Sequence, residues 1–172
     1  MRYTAAMTMQ APAPPRFCRD CGAPLAATAD GRLACTACGR RDYDSPIPVV
    51  AGIVEHEGSV LLVRARGWPE DWFGLVTGFL ERGEAPDEGI RREVREELGL
   101  EPGPATLIGA YPFPEMNQVV IAYHLTAAGT VALSDELAAC KPIPVHKLRP
   151  WPFATGRAVA DWLARRGAAA GA

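Results

Sequence analysis

The sequence predicts an α/β sandwich that follows a small cysteine-bearing segment. Three observations predict it: runs of β-branched residues, amphipathic helical stretches between and after them, and two Cys-x-x-Cys pairs near the start of the chain. With 172 residues the chain can form one mid-sized domain and a small appendage. A chain of this size buries roughly 70% of its unfolded surface, so its core does not require disulfides.

Composition and charge exclude several classes of protein. Apolar residues make up 48% of the chain, but the longest apolar run, residues 49–54, is far shorter than the ~20 residues of a membrane span. Residues 1–16 lack the pattern of a secretory signal, so we expect a cytoplasmic protein with no membrane partner. The 18 basic and 20 acidic residues give a net charge of −2, which does not favour a broad nucleic-acid surface.

The chain divides into five segments by composition. Residues 1–15 have no periodicity and are rich in proline, and residues 167–172 contain only alanine and glycine, so both are predicted to be disordered tails. Residues 16–41 carry the cysteine pairs, and residues 42–48 are predicted to be a linker because their prolines favour extended backbone. The main domain is expected over residues 49–166.

Each element of the main domain has a local signal. Glu57-Gly58 separates two β-branched runs and predicts a hairpin. Ile90, Val94 and Leu98 recur at fourfold spacing between Pro86 and Gly99, which predicts a helix over residues 86–98. Strands are predicted over residues 49–55, 59–65, 72–80, 107–111 and 118–126, and a second helix over residues 156–166.

The cysteine pairs predict a metal site. Cys-x-x-Cys occurs twice, 13 residues apart, and a glycine follows each pair. Four thiolates in this spacing suit tetrahedral Zn²⁺, whereas a redox pair and two disulfides are the alternatives. We expect structural rather than catalytic zinc, because four protein ligands leave no coordination position for water. The expected ligands are Cys18, Cys21, Cys35 and Cys38.

The first helix carries an unusual acidic face. Glu93, Glu96 and Glu97 stand at positions i, i+3 and i+4, beside the apolar face of the helix. Like charges at this spacing destabilise a helix unless cations intervene, so a divalent ion with oxygen ligands, Mg²⁺ or Mn²⁺, is one interpretation. A solvated acidic face neutralised by nearby arginines is the alternative.

The pattern around these glutamates favours the first interpretation. From Gly78 to Leu100 the chain reads Gly-x5-Glu-x7-Arg-Glu-(aliphatic)-x-Glu-Glu-x-Gly-(aliphatic). This pattern resembles the Nudix box, and the resemblance implies a Nudix α/β/α sandwich with a mixed sheet. It also implies an enzyme that hydrolyses a nucleoside diphosphate linked to a second group, with divalent ions activating water and neutralising phosphate oxygens.

The resemblance implies a role for each residue of the box. Glu93, Glu96 and Glu97 are expected to be catalytic metal ligands, together with the backbone carbonyl of Thr77. Glu136, further along the chain, is expected to be an additional ligand, with an ordinary loop carboxylate as the alternative. The residues expected to have structural roles are Gly78, Glu84, Arg92 and Gly99.

The resemblance extends to a class of substrate. The Gly78-Phe79 form of the box and the preceding four-cysteine ribbon are similar to NADH pyrophosphatases, so we expect NAD(H) to be cleaved to NMN(H) and AMP. Phe79 is expected to stack on adenine, with a core aromatic as the alternative. One difference from the NADH pyrophosphatases is the segment from Tyr111 to Glu115. Those enzymes carry a tryptophan-containing motif shortly after the box, and this chain has a tyrosine in place of the part that contains the tryptophan.

Other functions remain open at this level. The alternatives are cleavage of FAD to FMN and AMP, removal of a nicotinamide-adenine dinucleotide cap from RNA, and a nucleotide-binding module that does not catalyse. A nucleotide is the expected partner in every case, and a nucleic acid only in the form of capped RNA. The resemblance also implies a homodimer.

Overall fold

The computed structural model describes residues 16–170, and it has two parts that follow one another along the chain. The predicted tail at residues 1–15, and the last two residues of the predicted tail at 167–172, lie outside the described residues. The first part is a three-stranded antiparallel sheet. Its strands are β1 (Leu25–Ala27), β2 (Leu33–Cys35) and β3 (Arg41–Asp42).

The second part is a sandwich built on a seven-stranded mixed sheet. Its strands are β4 (Ile47–His56), β5 (Ser59–Ala65), β6 (Val76–Phe79), β7 (Glu101–Pro102), β8 (Thr106–Phe113), β9 (Gln118–Ala128) and β10 (Leu137–Pro144). Its helices are α1 (Pro86–Leu98) and α2 (Thr155–Ala170). Short 3-10 turns lie at Pro114–Met116 and Val145–Lys147. The predicted sandwich with a mixed sheet is confirmed.

Strand β4 is the centre of the sheet. One edge of β4 pairs in parallel with β9, from Ile47 opposite Gln118 to Glu55 opposite Thr126. Its other edge is shared, because β6 pairs with the first half of β4 and β5 pairs with its last residues. The sheet therefore forks along this edge of β4. Strand β6 lies in the fork, and the acidic helix α1 follows β6 in the chain.

The two faces of the sheet have separate cores. Val50 and Val54 of β4 pack with the apolar face of α1, whereas Ala51 and Ile53 point to the opposite side and pack with α2. This alternation is the period of two that a strand imposes on a sheet covered on both faces. Neither helix within residues 16–170 combines the length and apolar character of a membrane-spanning segment.

The structure differs from the predicted elements in several places. Strand β4 begins at Ile47, inside the predicted linker, and β6 covers only the end of the predicted strand at 72–80. Strand β10 was not predicted, since its two prolines argue against a strand; it pairs only with β5 at the edge of the sheet, where proline is tolerated. Helix α2 continues through Ala170, so residues 167–170 of the predicted tail are helical, in keeping with the high helix propensity of alanine.

The contact between α1 and β4 depends on a glycine. A Cβ atom built on Gly52 would lie 2.9 Å from Cδ1 of Ile90 and 3.3 Å from a methyl group of Leu125. Both neighbours are almost completely buried. The absence of a side chain at Gly52 therefore sets how closely the acidic helix approaches the sheet.

Gly52→Val is expected to lower the free energy of unfolding by about 1–3 kcal/mol, because the added methyl groups overpack a filled core. Urea denaturation measures this change. Gly74→Ala is the matched control, since its Cβ would meet only the ring of Trp68 at the ordinary distance of 3.5 Å. Equal stabilities of Gly52→Val and the native protein would contradict this role of Gly52.

Candidate active site

Helix α1 presents three carboxylates at different depths. The buried residues Ile90, Val94 and Leu98 fix the orientation of the helix, and Gly99 ends it in the left-handed conformation at φ 66°. Glu97 lies beside this apolar face and is only 9% exposed. The structure brings Glu93 into the same region, half-buried, and leaves Glu96 at the surface.

Glu93 lies directly over the backbone of β6. A Cβ atom on Gly78 would lie 1.9 Å from Oε1 of Glu93 and 2.0 Å from its carboxyl carbon. No side chain other than hydrogen fits there while Glu93 keeps this position. The neighbouring residue Thr77 also lines this part of the molecule, so its strand and the glutamates of α1 face one another across a short gap.

Arg92 is the hub that holds the loop before α1 against the helix. Its Nε and Nη2 donate to the two oxygens of Glu84 at 2.9 and 3.1 Å, and Nη2 also donates to the carbonyl of Phe79 at 3.1 Å. Its Nη1 donates to Glu93 at 2.7 Å and to Glu96 at 2.9 Å. Arg92 holds the pKa of Glu84 below its usual range.

No arginine lowers the pKa of Glu97 in the way that Arg92 lowers that of Glu84. Its Oε2 atom is buried and has no hydrogen-bond partner among residues 16–170. Burial raises the pKa of Glu97 to about 8, and repulsion from Glu93 and Glu136 acts in the same direction. A buried carboxylate oxygen without a donor is costly, and a cation is the ligand that would satisfy it. The donor set therefore fits a hard divalent ion, which takes carboxylate and carbonyl oxygens.

These groups line one cavity of about 480 Å³. Glu136 reaches it from the loop before β10, and its neighbour Ser134 also lines it. The ring of Phe79 stands at the cavity and is 60% exposed, so it is not a core aromatic. Sequence reasoning missed Val49, Glu81, Gln118 and Ser134 as lining residues, because no local motif marks them. The pairing of β4 with β9 and β6 brings Val49 and Gln118 to the cavity, whereas Glu81 and Ser134 reach it from loops.

The four cysteines of the first part also converge. The Sγ atoms of Cys18, Cys21, Cys35 and Cys38 all lie within 4.8 Å of one another, and none forms a disulfide. The backbone N–H groups of Cys38 and Ala37 donate to Sγ of Cys35 at 3.4 Å, which lowers the pKa of this thiol to about 6. Four free thiols in this arrangement fit a tetrahedral metal ion.

Comparison with protein families decides the assignment. The model described as the NUDIX domain matches residues 46–163. The chain belongs to the NUDIX family. The resemblance seen in the sequence is confirmed, and Nudix enzymes use divalent cations.

The chain is also similar to curated relatives. Two of them are described as NAD-capped RNA hydrolase NudC. The relative from Pseudomonas putida KT2440 is 30% identical over 151 residues, which cover 86% of this chain and 54% of the relative. The relative from Pseudomonas aeruginosa LESB58 is 30% identical over 161 residues, 90% of this chain and 58% of the relative. The chain thus spans little more than half the length of these relatives.

Solved structures share the NUDIX fold. A NUDIX hydrolase from Nitrosomonas europaea aligns with a TM-score of 0.67 at 24% identity, covering 77% of this chain and 80% of that chain. An ADP-ribose pyrophosphatase from Streptococcus suis aligns with a TM-score of 0.56 at 18% identity, covering 71% of this chain and 92% of that chain. At these identities the likeness supports the fold.

The segment that departs from the NADH pyrophosphatase pattern packs inside the NUDIX domain. Tyr111 and Phe113 of β8 are buried in the core on the α2 side, and the phenol of Tyr111 donates to Asp161 at 2.7 Å. Trp151, near the C-terminal end of the chain, is buried in the same core. Neither Tyr111 nor Trp151 lines the cavity described above.

The raised pKa of Glu97 predicts how stability depends on pH. Its pKa in the folded, metal-free protein lies above the ordinary value of 4.5, so the folded state binds the proton more tightly than the unfolded state does. Without divalent ions, the protein is expected to lose stability as the pH rises from about 4.5 to about 8. Urea denaturation in the presence of a chelator for Mg²⁺ measures this slope, and Glu97→Gln should reduce it. An identical slope in the variant would contradict the buried, uncompensated carboxylate.

Proposed function

We propose that this protein hydrolyses the diphosphate bond of a nicotinamide-adenine dinucleotide, releasing AMP and NMN(H). The observation that carries the proposal is the buried, partnerless oxygen of Glu97 in a cavity that also contains Glu93, Glu96 and Glu136. A purely structural acidic face would expose its carboxylates to water or pair them with arginines. The similarity to relatives described as NAD-capped RNA hydrolases supports nicotinamide-adenine dinucleotide as the group recognised.

Each residue at the cavity has a proposed role. The carboxylates of Glu93, Glu96, Glu97 and Glu136, with the carbonyl of Thr77, hold Mg²⁺ or Mn²⁺. When bound, such ions would supply Lewis-acid stabilisation of the diphosphate and would make water more acidic. Arg92 and Glu84 fix the loop, and Gly78 and Gly99 provide the space and the turn that the carboxylates require. A carboxylate of the cluster accepts the proton of the attacking water.

Phe79 is the proposed contact for the base. Its exposed ring stands at the cavity, and its carbonyl is held by Arg92, so the ring position is coupled to the carboxylate cluster. A cavity of about 480 Å³ falls within the ordinary range of small-molecule sites. An adenine ring stacked on Phe79 would place the diphosphate beside the glutamates.

A second candidate substrate is RNA that carries the same dinucleotide as a 5′ cap. The relatives described as NAD-capped RNA hydrolases favour it. The bond to be cleaved is the same as in free NAD(H), and the same carboxylates would act on it. Hydrolysis of FAD and binding without catalysis are the remaining alternatives.

The cysteine cluster is proposed to hold Zn²⁺ with a structural role. All four positions of a tetrahedral ion would be filled by Cys18, Cys21, Cys35 and Cys38, which leaves none for water. Free thiols suit a reducing compartment, so a cytoplasmic location belongs to the proposal, as does a homodimer.

Glu97→Gln is expected to reduce turnover by about two orders of magnitude or more with the fold intact, because the ion that activates water loses a charged ligand. Glu88→Gln is the matched control on the same helix, since its amide oxygen can still accept from the backbone of Ala85. Release of AMP from NADH with Mg²⁺ measures both. Turnover of Glu97→Gln near the native value would be incompatible with the proposed ligand set.

On a panel of NADH, NAD⁺, FAD, ADP-ribose, dNTPs and NAD-capped RNA, the protein is expected to release AMP from the free dinucleotides, with NAD(H) ranked first and FAD second, and NMN from NAD-capped RNA. Chromatography of the products separates NMNH from FMN.

Phe79→Ala should raise KM for every adenine dinucleotide, at a cost of ~1–3 kcal/mol if the ring stacks on the base. Preferential hydrolysis of dNTPs would refute the dinucleotide substrate, and no hydrolysis at all would favour a binding module.

Purified protein is expected to contain about one zinc ion per chain, retained through mild removal of Mg²⁺, because four-thiolate sites bind tightly. Elemental analysis measures the content. Cys18→Ser should lower the yield of folded protein more than the turnover per folded molecule. Protein free of zinc, or protein with two disulfides, would contradict the ribbon assignment.

A further inference from the structure

Charge is divided unevenly along the chain. Residues 141–172 contain six basic residues and one acidic residue, whereas residues 1–140 contain twelve basic and nineteen acidic residues. The net charge of −2 conceals this division. The six basic side chains all belong to exposed residues: Lys141, Lys147, Arg149, Arg157, Arg165 and Arg166. They lie in β10, in the 3-10 turn and loop that follow it, and in α2.

Most of the arginines in this segment are held by neutral partners. Arg149 donates to the carbonyls of His146 and Leu148 at 2.9 Å, and Arg165 donates to the carbonyl of Ile108 at 2.8 Å. The guanidinium of Arg157 lies over the ring of Tyr111, 5.9 Å from its centre. Such contacts orient a guanidinium but leave its charge unneutralised.

Few of these basic side chains form ion pairs. Among the ion pairs within residues 16–170, only Arg166 of this group has a partner, Glu55 at 3.0 Å. Asp161, the one acidic residue of the segment, lies on α2 four residues after Arg157 and four before Arg165, and its carboxylate accepts a hydrogen bond from the phenol of Tyr111. By contrast, Arg92 and Arg95 of α1 are paired with glutamates at 2.7–2.9 Å. Residues 141–172 are therefore a positively charged part of the chain, as are residues 16–41 with five basic and two acidic residues, whereas residues 42–140 are strongly acidic.

Strand β8 connects this surface to the cavity. Gln118 lines the cavity and pairs with Phe113, the last residue of β8. Arg157 contacts β8 at Tyr111 and Arg165 contacts it at Ile108. Ile108 lies five residue steps before Phe113 on β8, so the contacts of the two arginines extend to about 17 Å along the strand from the cavity edge.

We propose that the surface formed by Arg157 and Arg165, here called the β8–α2 track, binds the phosphates of the RNA chain attached to a dinucleotide cap. The inference rests on the proposed function for the cap itself. Free NAD(H) would fill the cavity and would not reach the track, whereas a capped RNA would leave the cavity and run along it. Arginines held in place by neutral groups suit phosphate oxygens.

Direct binding tests the track without any need for catalysis. The probe is a fluorescent, uncapped single-stranded RNA, and anisotropy is measured with the metal-free protein over a range of salt concentrations. In the double variant Arg157→Gln with Arg165→Gln, the dissociation constant is expected to rise several-fold. The slope of log affinity against log salt should fall by about 0.7 for each lost phosphate contact. Arg95→Gln, which removes an exposed arginine paired with Glu101, is the matched control and should bind as the native protein does.

Three binding results would overturn the inference: no binding of RNA by the native protein, an equal loss in Arg95→Gln, or tighter binding to phosphatidylglycerol vesicles than to RNA. Arg165→Lys distinguishes the loss of a positive charge from a change in structure. It keeps the charge and should therefore preserve the salt slope. Arg157→Gln alone removes no backbone hydrogen bond and should retain a partial defect.

Kinetics separates the inference from the proposed function. The double variant should raise KM for capped RNA long enough to reach Arg165 and leave KM and kcat for NADH unchanged. An equal change for both substrates, or no change for capped RNA, would refute the track. Failure to hydrolyse NADH would refute the proposed function, and the binding measurement would still decide whether the track holds RNA.

Discussion

The structure depends on keeping several like-charged carboxylates together at one end of a helix. Glu96 and Glu97 lie in the last turn of α1, where the helix dipole disfavours negative charge, and Glu97 is also removed from water. Arg92 neutralises Glu93 and Glu96 but makes no hydrogen bond to Glu97. Ionisation of Glu97 is therefore unfavourable in the domain, and a bound cation would favour its charged form. Stability lost in this way is typical of a site built for chemistry rather than for folding.

The remainder of the domain holds this arrangement in place. Gly52 lets α1 approach the central strand, and buried aliphatic residues prevent the helix from rotating its carboxylates into solvent. Gly78 leaves the space that Glu93 occupies over β6. The bidentate pair of Arg92 with Glu84 ties the preceding loop to the same helix, and through the carbonyl of Phe79 it also positions the exposed ring at the cavity. The carboxylates of α1 and the exposed ring of Phe79 are thus joined by the hydrogen bonds of one arginine.

Much of this arrangement could be predicted from the sequence because its signals are local. The spacing of Glu93, Glu96 and Glu97, the Pro86 start and the Gly99 end are all readable within one helix, and the cysteine pairs are readable within one segment. Strand β10 could not be recognised, since its prolines are tolerated only because it pairs on a single edge. Gln118 and Ser134 join the cavity through pairing between distant strands and through a loop. The basic segment was readable in principle, but a net charge taken over the whole chain hides it.

The central claim is that the carboxylates of α1 and the backbone of β6 form one cation site. Titration of Mn²⁺ followed by electron paramagnetic resonance tests it most directly, comparing the native protein with Gly78→Ala and with Gly74→Ala as control. Because a methyl group at position 78 would occupy the space of the Glu93 carboxylate, the account predicts that Gly78→Ala binds Mn²⁺ at least about tenfold more weakly, whereas Gly74→Ala binds it normally. Unchanged Mn²⁺ affinity in a folded Gly78→Ala variant would contradict the account.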